Sequence, residues 1–246
     1  AFRTKQGVFA TRYVQNKPLR TPDQLLQMAK AQDLNAFRKA LAMQSLPLFN
    51  VVYADGMDNI YFVHNSLLPR RTPGYDWQST LPGDTSATLW TEYLPFSQNP
   101  QKLNPDCGYL YNCNNSPFFC TCPAENPDSS AYPRNLALHW NRINNRDKRI
   151  REFFYGREEK WSLAEMKRLK WDHTYAEESP FVQMTQPIRN LEPEAHPDIA
   201  HAIRLLQRWD YGGSKQDTIA PLGLLAFYHA YNELHYGFVE LESGIS

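Results

Sequence analysis

The sequence predicts an α+β fold, with strands and turns in the first part of the chain and helices in the second. Three features indicate this: a hairpin pattern at Phe49–His64, a stretch rich in Pro, Gly and Asn between Leu68 and Pro133, and helical periodicity after residue 140. We expect a single incomplete domain over 1–246, with a strand and loop part at 1–135 and a mainly helical part at 136–246.

The first elements are short. Phe2–Val14 alternates weakly between apolar and polar residues, which favours a strand or a small hairpin. Thr21 followed by Pro22 and Gln24 has the form of a capping box with Pro at the first helical position, and predicts a helix starting at Pro22. An amphipathic run after Asp33 predicts a second helix.

The hairpin follows. β-branched and aromatic residues before Asp55 and after Asn59 flank a Gly56-Met57-Asp58 turn, so two strands can pair antiparallel with one face buried. The stretch from Leu68 to Pro133 predicts turns and irregular chain. Irregular segments of that length inside a compact domain are usually functional or held by a neighbour.

Helical signals return in the second half. Ser162 and Glu165 form a capping box, which predicts a helix from Leu163 through about Tyr175. Apolar stripes at a spacing of three and four residues predict further helices. These stripes are Ile150, Phe153 and Phe154; Ile199, Ala202, Ile203, Leu206 and Trp209, ending at Gly212-Gly213; and Leu222–His235.

The balance of charges and the hydropathy argue against nucleic acid and membranes as partners. Lys+Arg and Asp+Glu both number 26, which gives no overall attraction to nucleic acid or to an anionic membrane. No apolar run approaches the roughly 18 residues of a spanning helix, and no signal peptide opens the sequence. Because the first residue is Ala1 and not Met, we expect a piece of a longer polypeptide.

Four cysteines, Cys107, Cys113, Cys120 and Cys122, lie within sixteen residues. Their spacing lacks the two Cys-x-x-Cys knuckles of a zinc ribbon, so zinc is the weakest explanation. One or two disulfides that staple a surface loop, or a set of partly buried thiols, are the alternatives that remain.

No familiar catalytic motif is present: no Gly-x-Ser-x-Gly, no His-Glu-x-x-His, no phosphate-binding loop. Isolated histidines such as His139 and His173 are more often structural than catalytic. The acidic pairs Glu158-Glu159 and Glu177-Glu178 are typical of solvated helix faces. The residues alone nominate no self-contained catalytic set.

An ordered series of short motifs between Phe2 and Leu234 resembles the large subunit of penicillin acylases and their acyl-homoserine-lactone acylase relatives. The motifs are Asn50-Val-Val-Tyr53-Ala54-Asp55, Asp58-Asn59-Ile60-Tyr61, Leu68-Pro69-Arg70-Arg71, Tyr93-Leu94-Pro95-Phe96, Asn99-Pro100, Asn104-Pro105-x-x-Gly108-Tyr109, Asn112-x-Asn114-Asn115, Arg146-x-x-x-Ile150, Trp161-Ser162, Lys170-x-Asp172 and Leu206-x-x-Trp209-Asp210. Several motifs in the same order are far more specific than any one of them.

The resemblance implies an αββα N-terminal-nucleophile hydrolase sandwich, of which this chain is a part with a helical extension. In that family an amino-terminal Ser cleaves N-acyl amides through an acyl-serine intermediate, with its own α-amino group as the base. Asn50 matches the side-chain donor to the oxyanion, and Arg71 matches the arginine that orients the site. Asn112, Asn114 and Asn115 are expected to satisfy backbone groups of their loop.

The sequence also departs from the family pattern. No serine of this chain matches the nucleophile, so the resemblance implies an amidohydrolase fragment, inactive alone, whose partners are the remaining segments of the same precursor and a small acyl amide of the penicillin or acyl-homoserine-lactone type. No metal or other cofactor is expected here; calcium ligands of the complete enzyme are not assignable. A periplasmic or secreted location is implied. The alternatives are a non-catalytic homologue that binds a ligand or partner, and, more weakly, cysteine-based hydrolysis.

Overall fold

The structure is a computed structural model that describes residues 1–14, 20–46, 48–136, 138 and 144–243, with side chains up to residue 231. The chain forms two compact units, Ala1–Arg142 and Ile143–Ser246. Helices and strands are both present, as the predicted α+β class requires, with every assigned strand in the first unit. His139 and Trp140 lie outside the described residues. The predicted single domain over 1–246 stays a prediction.

The first unit holds two antiparallel sheets and two α-helices. A hairpin pairs β1 (Phe2–Thr4) with β2 (Gly7–Phe9), as the weak alternation predicted. The second sheet has the order β3-β4-β5. Its strands and the two helices have the bounds β3 Phe49–Ala54, β4 Ile60–Asn65, β5 Gln101–Leu103, α1 Thr21–Lys30 and α2 Leu34–Leu41.

One face of the β3-β4-β5 sheet is covered by the helices. Leu34 and Leu41 of α2 pack with Tyr61 and Val63 of β4 in a buried cluster. Each large apolar side chain buried in this way stabilises the fold by about 1.5–3 kcal/mol. Because side chains alternate along a strand, the neighbouring residues of β3 and β4, including His64, face the other side of the sheet.

The capping box predicted at the start of α1 is wrong. Thr21 lies inside the helix, and its hydroxyl donates to the Ser45 carbonyl at 2.6 Å. The Gln24 side chain is fully buried, where it accepts from the Ser45 N–H at 2.6 Å and donates to Asn65 at 2.9 Å. The side chains of Thr21 and Gln24 therefore make long-range hydrogen bonds, to Ser45 and to Asn65 of β4, and do not cap the helix. Asp33, by contrast, caps α2 through the Ala36 N–H at 2.7 Å.

The hairpin turn lies where it was predicted, between β3 and β4. Asp58 takes the left-handed conformation, with φ 60°, while Asp55 accepts from the N–H groups of Met57 and Asn59. The stretch from Leu68 to Pro133 is mostly irregular, as predicted, apart from β5, whose three residues are too short for a periodic signal. Short 3-10 turns of the two units are Ser86–Thr88, Phe96–Gln98, Pro123–Glu125, Ser129–Ala131, Arg134–Leu136 and Pro193–Ala195.

The second unit is helical. Its helices are α3 Asn145–Phe154, α4 Leu163–Lys170, α5 Pro180–Arg189, α6 Ala200–Arg208 and α7 Ala220–Ser243. Phe181, Val182, Leu206 and Trp209 form its core. Within the described part of the chain, no helix is both long enough and apolar enough to cross a membrane.

Two helical expectations need correction. The Ser162 capping box forms, but α4 ends at Lys170 and not near Tyr175. Asp172 leaves the helix to pair with Arg149 at 2.7 Å, and the Tyr175 N–H donates to the Tyr211 carbonyl at 2.9 Å. Sequence analysis gave no helix at α5, because the helix contains Pro187, which has no N–H to donate.

Candidate active site

A pocket of about 750 Å³ lies beside the start of β3 in the first unit. Its apolar wall includes Leu48, Phe49, Leu68, Trp90 and Leu136. Its polar groups include Asn50, His64, Arg71, Asn112, Asn114 and Asn115, along with Arg12. The pocket thus combines apolar walls with a few convergent polar groups, as small-molecule sites usually do.

The Asn50 side-chain amide is held by three hydrogen bonds. Its Nδ2 donates to Asn112 Oδ1 at 3.0 Å and to the Asn115 carbonyl at 3.2 Å. Its Oδ1 lies 2.7 Å from Nδ1 of His64, the residue directly opposite Asn50 in the β3-β4 pair. The amide is therefore fixed in orientation, with its N–H groups directed at the asparagine loop that borders the pocket.

His64 is buried and electrically neutral. Its exposed fraction is 2%, and burial lowers its pKa to about 4. At neutral pH the ring carries one proton, and because an amide oxygen only accepts, that proton is on Nδ1. His64 therefore donates to Asn50.

The asparagine loop is held by its own side chains. Asn115, which is buried, accepts from the Cys113 N–H at 2.8 Å and donates to the Phe119 carbonyl. Asn112 is exposed and accepts from the Asn114 N–H at 3.0 Å, with Asn114 in the left-handed region at φ 57°. The loop asparagines satisfy backbone groups, as expected for them, and the same residues contact Asn50.

A disulfide between Cys107 and Cys122 closes this loop. Glu125 links the start of this loop to β5, because it accepts from the Cys107 N–H at 3.1 Å and pairs with Lys102 of β5 at 3.0 Å. Cys113 and Cys120 are buried thiols, and burial raises the pKa of Cys120 to about 12, which does not favour a reactive thiolate. In the described residues, the grouping with metal-ligand spacing is Cys107, Cys122 and Glu125, and its two sulfurs are joined in the disulfide.

Arg71 points into the pocket and Arg70 does not. The Arg71 guanidinium is half-buried, donates to the Asn135 carbonyl, and lies 5.4 Å from the Trp77 ring and 5.7 Å from the Trp90 ring. Burial lowers the pKa of this guanidinium. The group stays charged because the ordinary pKa of arginine is very high. Arg70 is exposed and lies 3.8 Å from Glu92. Of these two neighbouring arginines, Arg71 therefore is the one that lines the pocket.

The charge around the pocket is positive. Among the described residues that line it, Arg12 and Arg71 are charged, and Asp and Glu are absent. A developing negative charge there meets cations and amide N–H groups, and no carboxylate repels it. Such a lining suits an oxyanion.

A larger cavity, of about 930 Å³, lies in the second unit. Two of its charged residues, Arg157 and Glu165, bind each other at 2.9 Å, and Asp172 on its wall binds Arg149 at 2.7 Å. Hydrogen bonds from Ser162, followed by Arg157, lower the pKa of Glu165 to about 2. His173 lines this cavity. Glu165 therefore serves the N-terminal cap of α4, with Arg157 as its ion-pair partner.

The profile of the penicillin amidase family matches residues 3–240, nearly the whole chain. The chain belongs to the penicillin amidase family. Over 88 residues, 36% of the chain and 10% of the relative, it is 40% identical to penicillin G acylase from Escherichia coli. The resemblance stated from the sequence motifs is thereby confirmed.

The fold comparison agrees. The chain is similar to a thermostable penicillin G acylase from Alcaligenes faecalis, with a TM-score of 0.57 and 22% identity over 87% of this chain. That alignment covers 38% of the solved chain, so this penicillin amidase family member spans well under half of it. Because the two sequences are only 22% identical, this similarity supports a shared fold and no more.

Both predicted site residues, Asn50 and Arg71, lie on one pocket of this penicillin amidase family chain. The side-chain bond recorded for Arg71 goes to Asn135, not to Asn50. Their catalytic roles stay predictions. Sequence analysis missed His64, although the register that pairs Tyr53 with Tyr61 also pairs Asn50 with His64.

Proposed function

We propose that this chain supplies part of the transition-state site of an amidohydrolase that cleaves N-acyl amides. The reaction runs through an acyl-serine intermediate, with the serine outside residues 1–246. The observation that carries the proposal is the Asn50 amide, fixed by three hydrogen bonds beside a pocket whose charged lining residues are arginines. Penicillin- or acyl-homoserine-lactone-type amides are the proposed substrates.

The chemistry needs a donor placed where charge develops. The serine Oγ attacks the carbonyl carbon, and the π electrons of the C=O bond move to its oxygen. The serine α-amino group takes the hydroxyl proton and delivers it to the leaving amine, and water then hydrolyses the acyl-serine. An Asn50 N–H donated to the oxyanion lowers the energy of the tetrahedral intermediate.

One Asn50 hydrogen bond must be exchanged during the reaction, because Nδ2 has two hydrogens and both have partners. The partner that can leave is the exposed Asn112 side chain, since the other acceptor is the backbone carbonyl of buried Asn115. Arg71 is proposed to orient the site and to favour negative charge across the pocket. Its position is fixed by the Asn135 carbonyl and the Trp77 face.

The same proposal covers the complete protein. The remaining segments of the precursor complete an αββα sandwich around the β3-β4-β5 sheet, supply the nucleophile and act with this chain in the periplasm or outside the cell. The chain alone is expected to be inactive. We propose no metal site on this chain.

Kinetics of the complete protein test the proposal. Asn50→Ala should lower kcat by about 10²–10³ on a chromogenic acyl amide, the usual loss for one oxyanion donor. The matched control is Asn190→Ala, which removes an exposed asparagine at the end of α5. Normal turnover by Asn50→Ala contradicts the assignment, and a wild-type protein that binds acyl amides without cleaving them identifies the non-catalytic homologue instead.

A further inference from the structure

We propose that His64 is a positioning residue that sets the polarity of the Asn50 amide and so aims its N–H groups at the reacting carbonyl. The inference rests on the proposed function. His64 is adjacent to Asn50 across the β3-β4 pair, with Nδ1 2.7 Å from Oδ1. Its ring contacts the proposed donor, Asn50.

The hydrogen bonds around Asn50 are compatible with only one amide orientation. With Nδ2 toward the asparagine loop, it faces two acceptors, Asn112 Oδ1 and the Asn115 carbonyl. The reversed amide places its oxygen against both of those oxygens. The His64 N–H reinforces the first orientation by supplying the donor that Oδ1 needs.

The importance of His64 grows when the substrate binds. The Asn112 bond is then exchanged for a bond to the substrate oxygen, and Asn50 loses one of the two contacts that distinguish its ends. His64 and the Asn115 carbonyl remain to hold the amide. A donor fixed before reaction requires no reorganisation when the charge develops.

The His64 ring is mounted on rigid backbone. The backbone N–H of His64 donates to the Pro100 carbonyl at 2.9 Å, and the backbone carbonyl of His64 accepts from the Asn99 side chain at 3.0 Å. Asn99 is buried and also donates to the Ser66 carbonyl at 2.8 Å. Because burial also lowers the ring pKa to about 4, one neutral tautomer is kept through the neutral pH range.

A matched pair of variants in the complete protein separates positioning from packing. His64→Asn keeps a side-chain N–H at the position of Nδ1, whereas His64→Leu fills similar space without a donor. We expect His64→Leu to lower kcat about tenfold or more, with KM within about twofold, and His64→Asn to stay within about threefold of wild type. Equal loss in both variants overturns the inference.

A double-mutant cycle distinguishes this inference from the proposed function. If His64 acts through Asn50, adding His64→Leu to Asn50→Ala should change kcat by less than about twofold. An undiminished tenfold loss in that background overturns the positioning role while leaving Asn50 in place. Full activity of Asn50→Ala overturns the proposed function itself.

A spectroscopic readout does not depend on how the leucine variant folds. In protein labelled with ¹⁵N-histidine, the His64 signals, assigned by their absence in His64→Asn, should show the Nδ1–H tautomer at pH 7. The Nε2–H tautomer leaves Asn50 Oδ1 without this donor and overturns the inference.

Discussion

The pocket beside β3 and the larger cavity of the helical unit differ in the partners of their polar side chains. In the pocket beside β3, neutral amides and one neutral imidazole bind one another and the backbone, and the charged lining residues are arginines. In the larger cavity of the helical unit, Arg157 pairs with Glu165, and Asp172 pairs with Arg149. Convergence of oriented donors, and not cavity volume, therefore marks the candidate active site.

Removing the disulfide tests the difference between the two cavities most strongly. All four cysteines lie in the first unit, so the change is confined to the side of the pocket beside β3. Replacing Cys107 and Cys122 by Ser removes a link across 15 residues, which in the chain-entropy description costs about 3 kcal/mol of unfolding free energy. Urea unfolding of the double variant should show the loss, and kcat should fall because the Asn112 and Asn115 acceptors lose their fixed position.

Hydrogen exchange provides the control for that variant. Peptides covering 107–122 should exchange faster in the Ser variant, while peptides of α4 in the helical unit should keep their wild-type rates. Equal acceleration in both places contradicts a loop-specific role for the disulfide.

The next prediction compares Arg71 and Arg157, which lie over tryptophan rings in the pocket and in the larger cavity, respectively. Arg71→Ala should lower kcat/KM about 10- to 100-fold, because a charge-assisted contact beside the reacting carbonyl is lost. Arg157→Ala removes a pair with Glu165 at 2.9 Å and should leave kcat/KM within about twofold.

Exposed Arg70 is the control for the charge change alone, and Arg70→Ala should behave as wild type. Comparable losses for Arg71→Ala and Arg157→Ala contradict the assignment of function to the smaller pocket.

The smallest effect concerns the helical unit alone. Ser162→Ala removes the N-cap of α4 and should lower the free energy of unfolding by about 1 kcal/mol, measured by urea titration, without a change in kcat. Ser162→Thr keeps a hydroxyl at the cap and should retain most of the stability. A fall in kcat for Ser162→Ala alone shows that the helical unit bears on catalysis directly.

Local signals in the sequence predicted the elements whose causes are local. The β3-β4 hairpin, the Ser162 cap and the apolar stripe of α6 depend on neighbouring residues, and all three form. Contacts with distant residues explain why the predicted Thr21 cap does not form, why α4 ends early and why the short β5 was not predicted.

The candidate site shows the same difference between features with a local sequence signal and features that depend on distant residues. Asn50 and Arg71 were predicted from the family motifs, and the structure adds that Arg71 lines the pocket whereas neighbouring Arg70 lies near Glu92. His64 was missed because a lone histidine has no motif. Its role emerges from strand register, which a hairpin pattern specifies once the turn is known.

The most direct test of the central claim is a structure of the complete protein with its serine trapped by an alkyl phosphonate, a mimic of the tetrahedral intermediate. We predict a phosphonyl oxygen within about 3 Å of Asn50 Nδ2, with the Asn112 contact released and the His64 contact kept. A phosphonate bound elsewhere, with Nδ2 still donating to both Asn112 and Asn115, contradicts the account.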